Sequence, residues 1–209
     1  MSHGLNKAFL NDPKGFMRSH VIEMIWGYLP NRDNQQIFIR DFDFVPIGNG
    51  ADGTPRCRLE SYTRDQLGHA KAHGAASHPI HAYWLPYTAN RYCETTLGNA
   101  ANYMFTATLT GCTIAVGSGS TPKVSHINHQ VNAGIDHPSI LKKYHKHYMH
   151  DVFARAIHQD DYWLQVASGR EFHTIVGIRH NQEWKFYLNS RESHWGVRLL
   201  QGCRKMHQT

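Results

Sequence analysis

Residues 105–128 read FTATLTGCTIAVGSGSTPKVSHIN. The segments 112–116 (CTIAV) and 123–128 (KVSHIN) are rich in β-branched side chains and predict two strands. Just upstream, 102–109 (NYMFTATL) predicts a third. The stretch 117–122 (GSGSTP) is a turn by composition. A strand starting at Cys112, a tight Gly/Ser turn and a strand returning through His126 make an antiparallel hairpin. In the register where the two residues are directly opposed, their Cβ atoms stand roughly 4.5–5.5 Å apart on one face. That is hydrogen-bonding range for a thiol and an imidazole. A slip by one residue would send them to opposite faces.

Outward from this hairpin, the chain reads as more sheet with a few helices. Upstream, 36–46 (QIFIRDFDFVP) alternates apolar and polar side chains, and 79–86 (PIHAYWLP) predicts a further strand. Residues 47–78 are rich in Gly, Asp, Ser and His and read as loop with a short helix. Asp12-Pro13 reads as a helix start, and Phe16, Met17, Val21, Met24, Ile25 and Tyr28 recur at helical spacing, so a helix is expected over 13–29. Residues 1–11 read as flexible. Downstream, Pro138 followed by Leu141, Tyr144, Tyr148, Val152 and Phe153 predicts a second long helix over 137–158, with His145, His147, His150 and His158 mostly off its apolar stripe. HTIVGIR (173–179) and EWKFYLN (183–189) flank the short polar turn His180-Asn181-Gln182, and 195–200 adds a last strand. No repeat, low-complexity tract or linker divides the chain, so 1–209 is expected to be one domain. Its class is α+β, a central β-sandwich or mixed sheet flanked by two or three helices.

The 209 residues suffice for an unassisted hydrophobic core. An apolar share of 41% excludes a disordered chain. Lys and Arg outnumber Asp and Glu by 22 to 16, a general attraction for acidic partners that names none. No like-charge run or nucleic-acid motif accompanies it, so nucleic acid is not the expected partner. Cys57, Cys93, Cys112 and Cys203 form no C-x-x-C pair and fit a reducing compartment. No apolar run approaches the length of a membrane span, and no cleavable signal peptide is readable.

A thiol becomes a nucleophile as thiolate, which an adjacent imidazole stabilises. Cys112 with His126 as base satisfies that requirement. Gly111 permits close approach of a substrate, backbone N–H groups at Gly111 and Cys112 can hold an oxyanion, and Thr106, Thr108 and Thr110 offer oxygens to orient the base. His129 is an alternative base on the other strand face. A cysteine in a β-rich segment is more often a small buried apolar residue. Cys112, His126 and His129 are also a candidate zinc set, though only His126-x-x-His129 has the close spacing of structural sites. Trp84 and Tyr87 line a cleft or fill the core, and core filling is the commoner role.

Residues 104–127 resemble the catalytic core of the glutamine deamidase toxins, the group that contains cytotoxic necrotizing factor and the Burkholderia lethal factor, with the latter the nearer match. The group carries Leu-Ser-Gly-Cys, and this chain has Leu109-Thr110-Gly111-Cys112, where Thr keeps the hydroxyl. Trp84-Leu85-Pro86-Tyr87, Phe105-Thr106 and Val124-Ser125-His126-Ile127 match further motifs in order. The Cys-to-His interval is slightly longer here, with the extra residues in the Gly/Ser turn. The resemblance implies a Cys112–His126–Thr106 triad, with Thr106 acting through its hydroxyl or its carbonyl. It implies a single-domain virulence effector of bacterial origin, working in the host cytosol without metal or organic cofactor; the sequence leaves the oligomeric state open, with a monomer favoured. Its substrate would be a host protein, an initiation-factor RNA helicase or a Rho-type GTPase, carrying the target glutamine. The same pair would equally serve a transglutaminase, a peptidase or an acyltransferase. A His-rich metal- or nucleic-acid-binding domain is the non-enzymatic alternative.

Overall fold

The computed structural model describes residues 3–24, 38–50, 53–62, 78–88, 91–109, 112–117, 119–128, 153–157, 172–194 and 197–205. Among them the chain is mostly strand with two short helices. Helix α1 (His3–Asn11) and helix α2 (Pro13–Ser19) are followed by strands β1 (Val21–Glu23), β2 (Phe38–Asn49), β3 (Pro55–Tyr62), β4 (Ile80–Leu85), β5 (Arg91–Thr96) and β6 (Tyr103–Thr106). Strands β7 (Thr113–Gly117), β8 (Lys123–Asn128), β9 (Phe153–Ile157), β10 (Phe172–His180), β11 (Glu183–His194) and β12 (Val197–Lys205) complete the order. The described strands form an eight-stranded sheet, β1-β3-β2-β4-β6-β10-β11-β12, and a four-stranded sheet, β5-β8-β7-β9.

The N-terminal segment, expected to be flexible, is helix α1. Phe9 is fully buried against the rings of Phe16, Phe44, Tyr103 and Phe105. Asn6 ties the helix to the sheet: its side chain donates to the His78 carbonyl at 2.9 Å and accepts from the Phe44 N–H at 2.8 Å. Helix α2 starts as the sequence predicts, with the Asp12 carboxylate accepting from the Gly15 N–H and Pro13 in the first turn. It stops far short of the predicted residue 29. Asn189 of β11 donates to the carbonyls of Met17 and His20 and accepts from the Ile22 N–H. These three bonds satisfy the helix end and turn Val21–Glu23 into β1, parallel to β3. The rest of that predicted helix, from residue 25, lies outside the described residues.

Two further expectations change. Residues 55–62, read as loop, are strand β3, paired with β2 along its length. Residues 153–157, read as the end of a long helix, are strand β9, paired with β7. The remainder of 137–158, with its histidines, lies outside the described residues. The late hairpin forms as expected, but His180 belongs to β10. The turn is Asn181-Gln182, both at positive φ, the two-residue geometry that matches strand twist.

Along β4, β6, β10 and β11 successive side chains go to opposite clusters. Tyr83, Leu85, Met104, Ile175, Phe186 and Leu188 enter one. Ala82, Trp84, Phe105, Val176 and Tyr187 enter the other, with Phe9, Phe16 and Met17 of the helices. The eight-stranded sheet is therefore buried on both faces there. The first cluster also takes Leu97, Leu109, Cys112, Ile114, Val116 and Val124, so side chains of both sheets meet in one core. Gly177 permits the close fit: a Cβ there would stand 3.1 Å from Met104 Cβ and 3.2 Å from a Phe186 ring carbon.

Candidate active site

His126 sits in the middle of β8, which runs between β5 and β7. Its cross-strand partners are Cys93 on β5 and Ile114 on β7. The sequence reading placed Cys112 directly opposite His126. The observed register is shifted by two residues, which puts Ile114 in that position and Cys112 one diagonal step away. A shift by two keeps parity, so Cys112 and His126 remain on the same face. Cys112 joins Ile114, Val116 and Val124, its face-mates, in the shared core. Diagonal neighbours stand roughly 7–8 Å apart at Cα, still within reach of a long ring.

Thr106 ends β6, opposite Leu85 in the parallel pairing with β4. By alternation its side chain is on the face of Met104, the one turned to the four-stranded sheet. Its hydroxyl accepts from the Ile175 N–H at 3.2 Å. A hydroxyl keeps a proton to donate and a second lone pair after accepting one bond. Cys112 and His126 are each 1% exposed and Thr106 is fully buried. Gly111, the expected oxyanion support, lies outside the described residues, as do Thr110 and the alternative base and zinc ligand His129.

Two groups beside His126 were not singled out from the sequence as site residues. Cys93 faces it directly and forms a 3.1 Å contact with Thr88 Oγ1. Burial pushes the Cys93 thiol up, and the Thr88 hydrogen bond offsets part of that rise. The signal was in Arg91–Thr96 (RYCETT), whose aromatic and β-branched residues mark a strand. Tyr87, left open between cleft and core, lies ring to ring with His126, centroids 5.8 Å apart at 65°. Trp84 is core, 2% exposed within the aromatic cluster.

On the opposite face of the four-stranded sheet, Lys123 and Glu94 form an ion pair. Neither carries charge to the His126 side. Among the described residues no group of three His, Cys, Asp or Glu side chains is placed to hold a metal. No described helix is long and apolar enough to cross a membrane.

No protein-family model matches the chain, and no curated protein matches it in sequence. Among solved structures it is similar to the C-terminal domain of CNFy from Yersinia pseudotuberculosis. The TM-score is 0.42 and the identity 11%, over 98% of this chain and 96% of that one. The likeness is loose, and the functional reading rests on the residues of this chain.

Proposed function

We propose that this protein is a cysteine-dependent deamidase that converts a glutamine side chain of a host protein to glutamate. One observation carries the reading: Cys112, immediately before β7, packs in the core with Ile114 and Val116 of that strand, and Ile114 is the cross-strand partner of His126 on β8, each of the two inside its own motif. In the proposed reaction His126 takes the Cys112 proton, and the thiolate attacks the carboxamide carbon. Backbone N–H groups around Gly111 and Cys112 hold the oxyanion. The C–N bond breaks, His126 returns its proton to the departing ammonia, and a thioester remains. Water then adds to the thioester carbon, giving the carboxylate and restoring the thiol. Thr106 orients the imidazole. No step needs a metal or an organic cofactor.

Both reacting side chains are 1% exposed in this structure. The β-sandwich implied by the motif resemblance belongs to the same proposal, supported by the core that the two sheets share. So do action in the host cytosol, a monomeric state and a target among Rho-type GTPases or initiation-factor RNA helicases. The test incubates each purified target class with the protein and maps peptides by mass spectrometry. A glutamine converted to glutamate by the wild type and untouched by Cys112→Ser supports the reading. Conversion by Cys112→Ser sinks the mechanism. Incorporation of an added primary amine at the same glutamine would redirect the reading to transglutamination.

A further inference from the structure

Arg179 and Trp184 are direct cross-strand partners next to the turn of the β10–β11 hairpin. Arg179 gives its backbone N–H to the Asn102 carbonyl at 2.8 Å, on the β6 side. Its pairing with Trp184 is therefore of the non-hydrogen-bonded kind, in which facing side chains stand closer, with Cα atoms about 4.5 Å apart. By alternation both side chains share the sheet face of Ile175, the face turned to the shared core. Trp184 is 9% exposed and packs its ring against Tyr83 and Phe186. Arg179 is half-buried at the rim of that core, between exposed Asn102 and exposed His180. Neither Arg179 Nε nor Trp184 Nε1 has a hydrogen-bond acceptor among the described residues, and neither nitrogen is open to water. A buried indole N–H ordinarily finds an acceptor, and a guanidinium withdrawn from water ordinarily finds an anion. Two carboxylates at this end of the sheet are engaged elsewhere. Asp41, on the same sheet face, is paired with His81 at 2.9 Å, and Glu183, on the opposite face of β11, is 3.9 Å from Lys185.

We propose that Arg179 and Trp184 form a binding site for an oxyanion, a phosphate or a carboxylate group. The guanidinium supplies the charge and a planar set of N–H donors that matches two oxygens, and the indole supplies one further donor. Two withdrawn donors without an acceptor destabilise the fold, and an oxyanion that accepts from both relieves that cost. Both nitrogens are shut off from water, so the oxyanion enters as the Arg179 side chain rotates about its unbranched stem. Tyr83 and Phe186 hold the indole in place meanwhile, so one donor is fixed and the other adapts to the ligand. The chain's excess of Lys and Arg over Asp and Glu, 22 to 16, favours the approach of a negative group. Along β10 the site lies about 13 Å from Ile175, the residue whose N–H binds Thr106. It stands independently of the reading of Cys112 and His126 as nucleophile and base.

The test is an NMR titration of the isotope-labelled full chain, with sodium phosphate or sodium acetate replacing sodium chloride at constant ionic strength. The Trp184 indole N–H signal, assigned by its absence in Trp184→Phe, and the Arg179 Nε–H signal report the two donors. Both should shift saturably with phosphate. Arg179→Met should weaken the binding read at the indole by about tenfold or more. Trp184→Phe keeps an aromatic ring and loses the donor, and should weaken the binding read at Arg179 Nε–H by about fivefold. Saturation by acetate as well as phosphate identifies a carboxylate as a ligand and points to an acidic side chain of a partner protein. Saturation by phosphate alone identifies phosphate. The wild-type titration decides the matter even where a variant loosens the fold. No saturable shift with either anion overturns the proposal, because water then serves the two donors. A shift of equal size and midpoint in a folded Arg179→Met overturns it too, as a general ionic effect.

Discussion

Cys57 and Cys112 are equally withdrawn from solvent, and their neighbours separate them. Cys57 contacts the Val21 carbonyl at 3.6 Å in the geometry of a thiol donor. Burial, and secondarily the Glu23 carboxylate, push its thiol well above the ordinary value of 9.0. Near neutral pH this favours the thiol over the nucleophilic thiolate. Cys112 shares its strand face with an imidazole instead. The raised Cys57 thiol has a stability consequence. Its contribution is fully present below the unfolded thiol value and is lost as pH rises through the range between unfolded and folded values. Chemical denaturation of the wild type should therefore show stability falling above pH about 9. Cys57→Ala should be less stable at neutral pH, with a shallower alkaline slope.

At the scale of elements, Asn189 decides where α2 becomes β1. Asn189→Ala would leave the Ile22 N–H and the carbonyls of Met17 and His20 without their side-chain partner in a buried setting. The expected loss is about 3 kcal/mol, read as a lower urea midpoint at unchanged slope. Asn189→Asp should not rescue it, because a carboxylate cannot donate to the two carbonyls. The same contact explains what the sequence hides. Phe16, Met17, Val21 and Met24 do recur at helical spacing, but the group that ends the helix arrives from a strand far along the chain. Strands were legible where β-branched residues cluster, as in 113–117 and 123–128. The shared face of Cys112 and His126 was legible too, because side-chain direction repeats every two residues. The absolute register was not, because a Gly/Ser turn with Gly119 at φ +90° admits several lengths. Strand β3 was hidden by its charged residues Arg56, Arg58 and Glu60, which form ion pairs beside the sheet. Cys93 and Tyr87 join the site only through pairing and chain crossing, which spacing alone does not encode.

For the molecule as a whole, the consequence of a core shared by two sheets is coupling between them. Leu109 is fully buried in that core with residues of both sheets. Leu109→Ala should cost about 2–5 kcal/mol and lower the transition seen by tryptophan fluorescence and by far-UV dichroism to the same midpoint. Two separate midpoints would mean that the sheets unfold independently. The coupling matters for the proposed reaction, since the nucleophile and base stand on one sheet and Thr106 on the other. The central claim, that Cys112 hydrolyses protein glutamine, is tested most directly in a host-cell extract. Glutamine-to-glutamate conversion is quantified across all proteins after incubation with wild type, with Cys112→Ser or with buffer. The account predicts conversion at one or a few specific glutamines with the wild type and none above buffer with Cys112→Ser. Equal conversion in all three samples, or conversion that persists with Cys112→Ser, would contradict it.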